Sequence, residues 1–283
     1  MKTFWKAAVI IVSIILVGCQ ESATHLTVNK DGSGTIVMRE FFSPQMMGMM
    51  GSLEDMAEDV ADAMVDEEEA TKSEEEFNFF DSMIEKQAEK MGEGVKLVKS
   101  KKIKNEQGWE GFEATFSFKD INKVNLDIGK SEAEDESTSM ESKGGVSYTF
   151  KFNPGSPAEL SIIPVKEPEE EAEEEKSSEK EEEEVDEAMM MEMMSSMLKG
   201  FRMTFTVSVE GNIKETNSNY RSESQANTIT VMDMPFDKML GDEKTRKILF
   251  ASKDPNDAMA KLKEAGVTDV HLEAPDKTIS IKF

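Results

Sequence analysis

Apolar and polar residues follow three rhythms along this chain. Residues 7–17, AAVIIVSIILV, are an apolar run interrupted only by Ser13 and followed by the polar Gln20-Glu21-Ser22. Strict alternation comes next. His25-Leu26-Thr27-Val28-Asn29 and Thr35-Ile36-Val37-Met38-Arg39-Glu40-Phe41 bracket Lys30-Asp31-Gly32-Ser33-Gly34. Two alternating runs around an Asp-Gly turn predict a β-hairpin. The period then lengthens. Leu53, Met56, Val60 and Met64 recur at helical spacing, as do Phe77, Phe80, Ile84, Ala88 and Met91, and Gly92 and Gly94 stop the second set. These are two amphipathic helices with acidic outer faces. Strand-like segments follow at 95–103, 109–118, 124–128, 146–152 and 160–165, then a short Met-rich helix at 188–198, and strands at 202–210 and 228–232. A helix over 255–265, with Asp254 as cap, Met259 and Leu262 as its apolar side and Gly266 as stop, precedes strands at 269–272 and 277–283.

This pattern predicts an α+β fold: an antiparallel, β-rich sheet domain with inserted amphipathic Met-rich helices and a small C-terminal helix-strand-strand unit. The expected organisation is a signal peptide at 1–18, a lipid-anchored α+β domain at 19–235 and the small unit at 236–283. Two acidic stretches interrupt the main domain, near 130–143 and 166–187. Residues 167–187 carry 14 acidic and 2 basic side chains. Such a run buries too little apolar surface to offset chain entropy, so both stretches are expected to be disordered insertions.

The N-terminal run acquires a meaning from its flanks. Lys2 and Lys6 precede it, and Leu16-Val17-Gly18-Cys19 ends it. The order of basic, apolar and small-residue segments is that of a secretory signal, and the run is too short to span a bilayer as a helix. Its last four residues match the bacterial lipobox, in which the cysteine is acylated and becomes the new N-terminus. Cys19 is thus the expected lipidation site, carrying palmitate-type chains that hold the protein to the membrane. Two or more chains make such an anchor stable where one does not. In a Gram-negative cell an Asp after the lipidated Cys retains a lipoprotein at the inner membrane. Gln20 stands there instead, which points to the outer membrane, on its periplasmic or surface side. Cys19 is also the only cysteine, so no intrachain disulfide exists.

Charge narrows the partners. Without residues 1–18 the chain keeps 31 basic against 58 acidic side chains, a net charge of −27. That excludes nucleic acid as a partner and gives no electrostatic help at an anionic membrane. A calcium-loop template fits Asn29, Asp31, Ser33 and Glu40, with Gly34 at its sixth position. An EF-hand needs flanking helices, whereas these flanks alternate as strands, so a tight hairpin turn is the expected structure.

The 22 methionines are the most unusual count. They cluster at Met46, Met47, Met49 and Met50 and again at Met189-Met190-Met191-Glu192-Met193-Met194 with Met197. Three readings stay open. Unbranched, polarizable side chains pack helices, and they also build adaptable surfaces for a peptide, a lipid or a partner helix. Thioethers are soft ligands for Cu(I), which makes Met46, Met47, Met49, Met50, Met190, Met193, Met194 and Met197 the candidate metal set. His25 and His271, the two histidines, lie far from both clusters in sequence. No Gly-x-Ser-x-Gly, His-Glu-x-x-His or phosphate loop is present. The expectation is a non-enzymatic envelope lipoprotein without a cofactor. It would be a binding or structural module that presents Met-rich helices to an envelope protein or lipid partner. The alternative is an envelope Cu(I)-binding lipoprotein.

Two stretches carry a family likeness. Leu26 to Thr35, with its Lys-Asp-Gly turn, is one. Phe205-Thr206-Val207-Ser208-Val209-Glu210-Gly211-Asn212-Ile213, then Asn217 and Asn227-Thr228-Ile229-Thr230-Val231, is the other. They resemble the extracytoplasmic domain of LppM-like bacterial lipoproteins, in which a strand, a Gly turn and an Asn lead to a strand opened by Asn-Thr. Glu210 stands where that pattern commonly has Pro. The likeness covers about a fifth of the chain. It implies a mixed β-rich fold outside the membrane and supplies no catalytic residues.

Overall fold

The computed structural model describes residues 20–44, 47–48, 81, 84–129, 146–165, 200–222, 224–236, 239, 242–251, 261–262, 264–267, 270–274 and 276–283. The signal peptide expected at 1–18, the helix expected from Leu53 to Met64, both acidic stretches and the Met-rich helix expected at 188–198 lie outside these residues.

Alternation builds strands β1 (Gln20–Val28), β2 (Gly34–Phe42), β3 (Lys96–Lys104), β4 (Glu110–Phe118), β5 (Asn125–Ile128) and β6 (Val146–Asn153). Strands β7 (Glu159–Val165), β8 (Arg202–Val209), β9 (Glu215–Thr216), β10 (Thr228–Pro235), β11 (His271–Leu272) and β12 (Ile279–Lys282) complete the set. They form a seven-stranded sheet in the order β11-β10-β8-β1-β2-β4-β3 and a five-stranded sheet in the order β5-β6-β7-β12-β9. Burial along β2 alternates in step with its sequence, so Ile36 and Met38 face inward while Arg39 faces out.

The β1–β2 connection is the expected tight turn. Asn29 N–H donates to Ser33 O at 2.8 Å, and Asp31 Oδ1 accepts from both Ser33 N–H and Ser33 Oγ. Gly32 takes φ +83°, and a Cβ there would meet the Phe152 ring at 2.8 Å. The calcium template fails on geometry. Glu40 sits far up β2, bonded to Ser22 Oγ at 2.8 Å, where it cannot close a loop around residues 29–33.

The expected all-antiparallel sheet holds except at its centre, where β1 and β8 run parallel, Glu21 opposite Arg202 through Val28 opposite Val209. The long connection from residue 43 to residue 201 carries β3 to β7 among its described residues, which allows β8 to return in the same direction. The inner faces of the two sheets share one buried cluster that includes Leu26, Phe116 and Phe205 from one sheet and Tyr148, Ile162 and Ile281 from the other. The rings of Tyr148 and Phe205 meet across the sheets at 5.2 Å.

Residues 84–90 are helical and bury Ile84 against that core. Gly92 ends the turn at φ +110°, where a Cβ would lie 2.1 Å from Lys123 O. Helix α1 (Glu243–Ala251) is an element that apolar spacing did not predict; Asp242 caps it by accepting from Thr245 N–H and Oγ at 2.7 Å. Met239, Leu262 and Val270 make a small second cluster beside it. Gly266, the expected stop, has φ +80°, and Val267 N–H closes the turn on Leu262 O at 3.0 Å. The last two strands are shared out: β11 joins β10 in the larger sheet, and β12 lies between β7 and β9 in the smaller one.

Candidate functional site

Backbone pairing draws one row across an end of the larger sheet. Lys104 pairs with Glu110, Glu110 with Phe42, and Phe42 with Gln20. One step inward Glu21 faces Arg202, and Arg202 faces Pro235. Gln20, the first residue of β1, directly follows Cys19. Met46 comes four residues after Phe42, and Met197 five residues before Arg202. The attachment points of the expected lipid and of both methionine clusters therefore share this end of the sheet.

Aromatic and cationic groups line it. Trp109 closes the β3–β4 turn: its N–H donates to Asn105 Oδ1 at 2.9 Å and its carbonyl accepts from Asn105 N–H at 3.0 Å. Its half-buried indole lies so near Gly200 that a Cβ there would stand 2.5 Å from the ring. The rings of Phe201 and Phe236 meet at 4.9 Å in a tilted arrangement, and Phe236 N–H donates to Phe201 O at 2.9 Å. Lys104 Nζ donates to Glu110 at 3.2 Å. Arg202 makes a two-pronged pair with Asp233, both contacts at 2.9 Å, a geometry that suits guanidinium and carboxylate.

Of the sequence-predicted site residues the structure describes Met47. Its N–H donates to Ser43 O at 3.0 Å and its partly buried side chain packs against the main core. Cys19, Met46, Met49, Met50, Met190, Met193, Met194 and Met197 lie outside the described residues. Among the described residues no three His, Cys, Asp or Glu side chains gather as metal ligands.

Two further polar clusters escaped the sequence. On the outer face of the larger sheet, Glu113 accepts from Arg39 Nε at 2.6 Å and from Lys101 Nζ at 2.9 Å. Lys101 first, then Arg39, holds its carboxyl below the ordinary range. His25 Nδ1 lies 2.7 Å from Thr206 Oγ1 beside them; burial, then the Arg39 charge, lowers its pKa, so the imidazole is neutral near pH 7. At the other edge the buried Glu273 carboxylate accepts from Ser218 Oγ (2.7 Å), Asn219 N–H (2.5 Å), Asn219 Nδ2 (3.0 Å) and Lys277 Nζ (2.8 Å). It pins residues 217–220 to the C-terminal strands. A signal for the cationic edge was present in the sequence: β3 reads KLVKSKKIK, with five lysines in nine residues of a chain whose net charge is −25.

No protein-family model matches the chain, and no curated protein matches it. Among solved structures it is similar to the folded domain of the LppM protein of Mycobacterium tuberculosis, determined by NMR, with 8% sequence identity, coverage of 77% of this chain and 83% of that one, and a TM-score of 0.29. The superposition is loose and transfers no functional residue. No helix among the described residues is long and apolar enough to cross a membrane.

Proposed function

We propose that this protein is a non-enzymatic, lipid-anchored envelope protein, held by acylated Cys19, whose β-rich domain serves as a binding or structural module. The observation that carries the reading is the row Gln20–Phe42 and Glu21–Arg202. It brings Gln20, the neighbour of Cys19, to the same end of one sheet as Phe42 and Arg202, which adjoin the two methionine-rich segments in sequence. A flexible thioether surface rooted there would meet a lipid or protein partner at the membrane. The test compares the wild type with Cys19→Ala in the native envelope. Wild type should float with membrane vesicles, and photocrosslinkers placed at Met49 or Met194 should capture lipid or one recurring envelope protein. Because Cys19→Ala also blocks removal of the apolar residues 1–18, the deciding readout is mass spectrometry of the wild-type N-terminus: a mature Cys19 without acyl chains would sink the anchor. Absence of any crosslink from either segment would sink the partner surface.

The same row supports a second reading, Cu(I) binding, because segments rooted on β2 and β8, the two strands that flank β1, could supply thioethers to one ion. A Cu(I) titration of residues 20–283 against a competing chelator separates the two. Stoichiometric binding that is lost when Met46, Met47, Met49 and Met50 become Leu would favour metal handling. Failure to compete with the chelator would end that reading.

A further inference from the structure

We infer that the end of the larger sheet marked by Gln20, Lys104 and Arg202 lies directly against the phospholipid bilayer, with Trp109 at the headgroup level and the Asn29–Ser33 turn pointing away. The inference rests on lipidation of Cys19 and adds the orientation that lipidation alone would leave free. Consecutive Cα atoms stand about 3.8 Å apart, so an acylated residue 19 leaves no spacer between the bilayer and Gln20. Gln20 cannot swing away either. Strand β1 is the fourth of seven, paired with β2 from residue 20 onward and with β8 from residue 21 onward. Pulling it out would leave ladder N–H and C=O groups unpaired on both sides. The whole sheet must therefore stand on the membrane by this end.

The side chains there suit that position. Indole combines an apolar body with an N–H donor and favours the membrane–water boundary. Trp109 is half-buried, next to Gly200, with Lys104 across its turn. Lys104 is paired with Glu110 and Arg202 with Asp233, so these four charges at this end offset one another. At about 3.3 Å per residue the length of β1 carries the Asn29–Ser33 turn roughly 26 Å from the row.

The chain contains its own reporter. Its two tryptophans are Trp5, lost with the signal peptide, and Trp109. The full protein, lipidated in a bacterial host, is reconstituted into phosphatidylcholine vesicles with and without bromine on the acyl chains. Zwitterionic lipid keeps the acidic net charge from deciding the result. Bromine should cause a loss of Trp109 emission. A Trp109→Phe protein carrying Lys30→Trp, at the exposed distal turn, should keep its emission in the same vesicles. Protein that floats with vesicles while Trp109 remains unquenched overturns the orientation and leaves the anchor intact. Equal quenching at both sites would mean that the domain lies flat, and it also overturns the inference. Failure to float removes the anchor and the orientation together.

Discussion

Tyr148 sits where the two sheets meet, its ring 5.2 Å from that of Phe205. Burial first, and the Glu273 charge second, push its phenol up to about 12. The neutral form is the one the fold accommodates. Its stabilising contribution is therefore full below the ordinary phenol value of about 10 and is lost as pH rises through about 12. Only two tyrosines exist, so in Tyr220→Phe protein the tyrosinate absorbance reports Tyr148 alone. Absorbance should stay silent until well above pH 10 and then rise together with loss of folded-state signal. Titration at the ordinary value in folded protein would contradict a buried phenol. His25 works in the opposite direction. Burial and then Arg39 depress its pKa, so its stability is present above the ordinary value of about 6.5 and is lost as pH falls below it. His25→Gln keeps a hydrogen-bonding group beside Thr206 without the titration. Between pH 7.5 and 5.5 the wild-type melting midpoint should fall relative to the variant's, and parallel curves would show that His25 is not strained by protonation.

Among the elements, β3 has the clearest task. Among the described residues it is the outermost strand of the larger sheet, and every residue along it but Ile103 is exposed. Lysines on such an edge deter pairing with another chain, since each approaching strand would bring like charge and bury an ammonium group. Converting Lys96, Lys99 and Lys102 to Thr should raise concentration-dependent association in sedimentation experiments while leaving the melting midpoint of dilute protein within a few degrees. Unchanged sedimentation would remove that role from the lysines. These elements also show what local pattern can reveal. Strands β2 and β4 were legible because their inward side chains, such as Ile36, Met38, Phe112 and Phe116, alternate with polar ones. The parallel pairing of β1 with β8 was not, because a partner about 180 residues away leaves no local mark. Helix α1 was missed because EKTRKILFA crowds its apolar residues at one end rather than spacing them around a face. Two-residue β9 is defined by its pairing with the backbone of β12, which no local pattern announces. For the candidate site, the positions of Cys19 and of the methionine clusters along the chain are plain in the sequence. Their relation to one sheet end needed the register of β1, β2 and β8. The Glu273 hub was invisible because its partners Ser218 and Asn219 lie some 55 residues earlier in a polar loop.

At the scale of the molecule the two sheets must act as one body if an anchor on β1 is to orient the rest. The contacts that join them are specific. Phe152 packs on Gly32 in the β1–β2 turn and lies 6.3 Å from the ring of Phe283. Ile121 N–H donates to Gly32 O at 2.9 Å, and Asn122 Oδ1 accepts from Phe152 N–H at 2.8 Å. Phe283 is buried and exchanges two 3.0 Å backbone bonds with Ala158. Strand β12 thus joins β7 to β9 in the smaller sheet and adds Ile279 and Ile281 to the shared core. Removing residues 279–283 takes Ile279, Ile281 and Phe283 out of the shared core and separates β7 from β9. If the sheets share one cooperative core, the truncated protein should lose its near-UV circular dichroism and bind a hydrophobic dye while retaining far-UV strand signal. If the larger sheet kept a sharp thermal transition of its own after that deletion, the sheets would be separable units. The anchor at β1 would then orient only the sheet it enters, whereas a single lost transition means that fixing one strand end at the bilayer fixes the attitude of the whole domain.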